Sequence, residues 1–264
     1  MLKTLLYINE DLASSIALRF TGYLNKFVPL SLYVTHVEEP DEKEQVGTGW
    51  VRRTWEDGVA SSGKRLIDRM LRTENIDCPL AGRPKVFVGD CDKEIIYELR
   101  NGLYNLFVKG YLDAADPEQF YELITSPLCK EVSSPTLVVK NLSLSKKCAL
   151  LCADSVNPAI LVEKSLEILG DSSFELDIVY FKFIDNKSLQ ILDHAEGGKH
   201  LTETEALLAA AGKTVHETIV ISGTPEQAGE YLKEYALVAS TLPSRKSMRM
   251  YTLAYSLASV LLVH

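Results

Sequence analysis

The chain of 264 residues has no excess of positive charge, no long apolar run, only two tryptophans, and five cysteines without a CxxC pair. Each shortage excludes something. Net charge is −8, and it is shared between the halves: residues 1–142 carry 17 basic and 21 acidic side chains, the remainder 11 and 15. Nucleic acids and anionic membranes attract a positive field, so neither is an expected partner. No apolar stretch approaches the roughly 18 residues of a membrane span. The start, "MLKTLLYINED", has one lysine and a short apolar run that meets acid directly, unlike a secretory leader. A cytoplasmic protein is the expectation. Five cysteines, an odd number, do not suggest a disulfide framework, and burial is expected for all of them. Cys148 and Cys152, four apart on a predicted strand, share one face.

What is present is core material. Hydrophobic residues make up 46% of the chain and charged ones 24%, which excludes disorder. Five short apolar runs recur before residue 142: "TLLYI" (4–8), "LSLYVTHV" (30–37), "KVFVG" (85–89), "NLFVK" (105–109) and "TLVVK" (136–140). They are nearly continuous in apolar residues, as strands buried on both faces of a parallel sheet are. Segments with helical spacing lie between them, marked by Ile16 to Phe27, Val59 to Leu71, Ile95 to Leu99 and Phe120 to Ile124. Strand and helix in alternation predict parallel strands with right-handed crossovers.

The second half repeats the order. Its strands are predicted at 148–153, 174–183, 216–222, 236–241 and 259–264, with helices at 157–169, 201–211, 225–235 and 247–257. "VGDCDKEIIYELRNGLYNLFVKG" (88–110) aligns with "SGTPEQAGEYLKEYALVAST" (222–241), and "PTLVVK" aligns with "ASVLLVH". Two copies of one α/β unit are expected, 1–142 and 143–264, each of ordinary domain size.

These motifs carry a resemblance. The second strand "LSLYVTHVEEP", the third strand and helix "VGDCDKEIIYEL", the closing "SSPTLVVK", and in the second half "ALLCADSVNPA", "SGTPEQAGEYL" and "ASVLLVH" together resemble a tandem universal stress protein. The resemblance spans nearly the whole chain. It implies two similar open five-stranded parallel α/β sheets of Rossmann-like type, with helices on both faces. It further implies pairing of the two final strands across a pseudo-twofold axis, and it is compatible with a homodimer.

Members of that family that bind ATP have a loop of the form G-x2-G-x9-G-[ST] after the fourth strand, and an acidic residue after the first. Glycines there let the backbone approach phosphates at a helix N-terminus. In the first half the fourth strand ends at Gly110, but the second glycine position is Asp113 and no Gly-Ser pair follows. The acidic position is Asn9. Asp113, Asp116 and Glu118 repel a triphosphate and suit the start of the next helix. In the second half Asp154 keeps the acidic position, yet no glycine lies between Thr241 and His264. "TLPSRKSMR" stands there instead. Ser244 or Ser247 can cap the following helix. Arg245, Lys246 and Arg249 crowd its start, where cations are unfavourable unless an anion joins them. That turn is either a site for a small anion or nucleotide, ATP or AMP, or a solvated basic turn with the Arg249 stem over apolar surface.

Other candidates are weaker. "GVASSGKR" (58–65) nearly spells a P-loop, but it lies within a helical segment and has Arg65 in place of the hydroxyl. Asp193, His194 and His200 lack metal-ligand spacing and read as a mobile loop. His36 reads as a strand residue. The connection 38–58 carries Trp50 and Trp55, either as a lid or partner surface or as anchors of the loop on its own domain. The expectation is a non-catalytic binding scaffold with protein partners and eroded nucleotide sites. Asn9 with Gly110 borders the first crevice, and Asp154 with Thr241 to Ser247 the second. The alternative is an adenine-nucleotide-binding switch or slow ATPase in the second half.

Overall fold

Local signals set where most elements begin. The computed structural model of the chain describes residues 1–39, 50–112 and 116–264. In chain order the first half runs β1 (Leu2–Tyr7), α1 (Leu12–Leu24), β2 (Leu30–Glu38), α2 (Trp50–Glu74), β3 (Lys85–Val88), α3 (Cys91–Gly102), β4 (Leu106–Gly110), α4 (Pro117–Thr125), α5 (Pro127–Glu131) and β5 (Thr136–Val139). The second runs β6 (Lys147–Cys152), α6 (Pro158–Leu169), β7 (Glu175–Phe183), β8 (Gln190–Leu192), α7 (Gly198–Ala210), β9 (Glu217–Gly223), α8 (Pro225–Tyr231), β10 (Leu237–Thr241), α9 (Met248–Tyr255) and β11 (Ser259–Val263). Asp11, Asp90, Asp116, Asn157, Thr224 and Ser247 each accept a backbone N–H at a helix start, which satisfies donors the helix cannot. Proline at the first position reinforces the starts of α4, α6 and α8.

The strands form one sheet in the order β3-β2-β1-β4-β5-β11-β10-β6-β7-β9-β8. Each half contributes five parallel strands, as the pattern predicts, and the two sets meet where β5 pairs antiparallel with β11, Val138 opposite Val260 and Leu137 opposite Leu261. Four expectations change. A strand absent from the reading, β8, pairs antiparallel with β9 at the sheet edge; three residues are too few to show a period. The presumed mobile loop from Asp193 is a 3-10 turn that runs into α7. The polar excursion of 38–58 is shorter than supposed, because α2 already begins at Trp50; residues 40–49 lie outside the described residues. Cys91 is only partly buried, unlike the other four cysteines.

Both faces of the sheet are covered; two buried clusters cross the join, and a third, around Leu5, Ile95 and Phe107, lies within the first half. On one face α1, α2, α6 and α7 bury Leu18, Ile67, Leu161 and Leu201 against Leu6, Leu106 and Leu150. Phe27 stacks on Phe174 of the other half, centroids 4.3 Å apart. On the opposite face Phe120 and Val138 share a cluster with Leu253, Val260 and Leu262. Lys140, just past β5, is buried there and donates to three carbonyls at the end of α9: Leu253 (2.6 Å), Ala254 (2.8 Å) and Ser256 (3.2 Å). Its ammonium lies 4.3 Å from the Phe120 ring centroid. A cation at a helix C-terminus meets the negative end of the dipole. A first-half residue thus closes a second-half helix.

Burial lowers the Lys140 ammonium to about 7, far below an unfolded lysine near 10.4. Between those values the unfolded chain binds the proton and the folded chain does not, so stability rises with pH. Relative to Lys140→Met, the wild type is expected to gain up to about 1.4 kcal/mol per pH unit from pH 7 to 9. Urea unfolding of both proteins at each pH reads this difference. A flat difference would mean that the carbonyls keep the amine charged throughout.

Candidate functional site

Open α/β sheets bind ligands beyond the strand C-termini, at the point where the crossovers change direction. The sheet order places two such points, between β1 and β4 and between β6 and β10. In the first, Gly110 ends β4 against the first turn of α1. A Cβ there would stand 2.1 Å from the Ala13 carbonyl oxygen and 3.0 Å from the Ser14 nitrogen. Its lack of a side chain serves the contact between strand and helix. Asn9 lies on the same rim, where its amide oxygen accepts the Glu10 N–H at 2.8 Å and its own N–H donates to Ser14 Oγ at 2.8 Å. Asp11 caps α1 by accepting the Ser14 N–H at 2.6 Å. The turn is satisfied by its own groups. Asp113, at the second glycine position, lies outside the described residues.

Beyond β2 and β3 is a cavity of about 830 Å³, lined among others by Glu39, Asp90, Asp92, Arg100 and Tyr97. It faces the start of α3, but carboxylates occupy that start. Glu39 accepts the Cys91 N–H at 2.8 Å, and Asp90 accepts that of Lys93 at 3.0 Å. The donors an anion would use are taken.

The second switch point is built around a group that the sequence did not single out as a ligand. Arg249, from the first turn of α9, is 6% exposed. Its Nε donates to Ser155 Oγ at 3.1 Å, after β6, and its Nη1 to Ser240 Oγ at 3.0 Å and to the Thr241 carbonyl, in β10. The guanidinium bridges the two strands that part here. No ion pair reaches it among the described residues, and burial lowers it to about 10. The (i, i+8) spacing from Thr241 across a turn hides this in the sequence, where Arg249 reads as one more cation of a basic cluster.

The residues expected around it disperse. Asp154 is exposed, accepts the Tyr180 hydroxyl and lies 3.8 Å from His200 Nδ1. Burial, then the Asp154 bond, raises the Tyr180 phenol above its usual range. Ser247 caps α9, accepting the Met250 N–H at 3.2 Å. Ser244 and Arg245 are exposed. Lys246 turns to the first half, pairing with Glu118 and lying 5.2 Å from the Tyr121 ring centroid. Of the basic turn, only Arg249 reaches the crevice floor. The P-loop-like stretch lies inside α2, as its context implies. His194 pairs with Glu205 at 2.8 Å rather than with Asp193 or His200. His36 is a buried strand residue, with Nδ1 2.9 Å from the Ile8 carbonyl.

No family model matches the sequence, and no curated protein does. Among solved structures, a universal stress protein from Archaeoglobus fulgidus superposes with a TM-score of 0.64 over 99% of this chain and 96% of its own, at 16% identity. The fold is that of the universal stress proteins. A putative universal stress protein from Pseudomonas aeruginosa gives 0.53 at 14% identity, and a functionally unknown protein from the same species 0.54 at 13%, each over 99% of this chain and 92% of its own. At these identities the likeness is one of fold. Within that universal-stress-protein fold, the two switch points of this chain differ: at one Gly110 packs on the backbone of α1, at the other the Arg249 guanidinium is hydrogen-bonded to Ser155, Ser240 and Thr241.

Substituting Gly110 tests the first contact. Gly110→Ala is expected to cost about 1–3 kcal/mol, because backbone rather than a flexible side chain must move. Urea unfolding measures it, and a cost near zero would show that β4 and α1 are not held in this contact.

Proposed function

We propose that the chain is a non-catalytic tandem stress-type protein of two units, 1–142 and 143–264, that acts as a binding or interaction scaffold. The observation that carries this reading is Arg249. Its guanidinium lies at the switch point between β6 and β10 and is hydrogen-bonded to Ser155, Ser240 and the Thr241 carbonyl, which leaves fewer of those groups for a phosphate. The tight seat of Gly110 on α1 supports the same reading for the first half. No helix among the described residues is long and apolar enough to cross a membrane, and the acidic net charge disfavours polyanionic partners, so the proposed partners are proteins.

One feature favours a second reading, an adenine-nucleotide-binding switch or slow ATPase in the second half. A desolvated guanidinium without a carboxylate is costly, and a phosphate seated on Ser155 and Arg249 would relieve it. Calorimetric titration with ATP and AMP, with and without magnesium, separates the two readings. The scaffold reading expects no saturable heat and an unmoved Tm. Micromolar binding that is lost in both Arg249→Met and Arg249→Lys would contradict it and establish the switch.

A further inference from the structure

The opposite end of the sheet, at the strand N-termini of the second half, holds a cluster that none of the foregoing uses. Asp177, on β7, is fully buried. A carboxylate in that position needs compensation. Its Oδ1 lies 2.9 Å from His216 Nδ1, and its Oδ2 accepts the Tyr235 hydroxyl at 3.1 Å. The nearest lysine, Lys147, stays 3.8 Å away, beyond hydrogen-bond reach. Glu217 stands directly opposite Asp177 in the parallel register of β7 and β9, so both side chains leave the same face. His216 immediately precedes it, fixed by its backbone N–H on the Leu176 carbonyl at 2.8 Å.

One ligand atom each from Asp177, His216 and Glu217 lies within 4.8 Å of the others. The register of two strands and one strand-entry residue sets that convergence, so the backbone need not move for the three to close on an ion. Beside them a cavity of about 390 Å³ opens, lined by Glu217, Glu175, Glu234 and Tyr231 among others. Lys146 and Lys147 line it as well, and of the three candidate ligands Glu217 borders it.

We propose that Asp177, His216 and Glu217 form a divalent transition-metal site, with zinc as the fitting ion. One imidazole and two carboxylates suit zinc at about 2.0–2.2 Å with an open fourth position. Among first-row ions the affinity order favours zinc over manganese or iron for such a set. Tyr235 donates to the carboxylate oxygen that faces away from His216, an orienting role typical of groups around metal ligands. Lys147 is the opposing charge, and the metal competes with it for Asp177. The site lies at the sheet end away from Arg249, and its occupation is independent of nucleotide.

The test is titration of the metal-stripped full-length protein with zinc alone, against a chromophoric competitor, and a parallel Tm measurement. One equivalent is expected to bind and raise Tm. His216→Ala and Glu217→Gln, both at exposed side chains, are expected to weaken binding by about 100-fold or more, in line with loss of a ligand group. Lys147→Met is expected to strengthen it, which loss of a merely structural contact does not explain. His194→Ala, in the exposed pair with Glu205, leaves it unchanged. Absence of a stoichiometric equivalent, or an equivalent that survives His216→Ala, overturns the proposal.

Discussion

The antiparallel pairing of β5 with β11 is the constraint on which the rest of the molecule depends. Each half ends in a short strand whose residues are buried throughout. Left alone, each would be an open apolar edge, a surface on which other chains can pair. Joined, they make one sheet that, among the described residues, has eleven strands with β3 and β8 at its edges. The same pairing brings α4 of the first half against α9, the helix before β11. Lys140 then caps α9 from the far side of the join, and Glu118 meets Lys246 across it. Because both halves are in one chain, the pairing is intramolecular and needs no second copy.

The join also accounts for the fate of the basic turn. The loop after β10 is tied by Lys246 to the other half, while Ser247 caps the helix. Arg249 alone turns inward, into the gap between β6 and β10. In the first half the contact at the switch point is backbone against backbone, Gly110 on Ala13. The two halves thus differ where the strands part, while their last strands pair with each other.

Much of this architecture was legible in the sequence, for identifiable reasons. Continuous apolar runs such as those at 148–153 and 259–264, flanked by helical spacing, read as buried strands, and β6 and β11 lie there. The pairing of the last strands came from the family resemblance. The site was less legible. Spacing placed Asn9, Gly110 and Asp154 at strand ends, since those positions follow from topology. It could not show that Gly110 serves a close contact with Ala13, that Lys246 has an acidic partner 128 residues away, or that Arg249 reaches the crevice floor. Those depend on side-chain direction and on contacts across the join. The cluster at Asp177 escaped for a similar reason: Asp177 and His216 are 39 residues apart, brought together by the register of neighbouring strands.

Equilibrium unfolding tests the central claim, that the halves are one cooperative unit through β5 and β11. Both tryptophans lie in the first half of the sequence, so their fluorescence reports that half alone, while far-UV circular dichroism reports both. In urea the two signals are predicted to fall together in a single transition with the steep slope of a 264-residue unit. A fluorescence transition separated from the dichroism transition, each with a slope suited to half the chain, would show that the two sheets fold independently and that the join does not hold the molecule together.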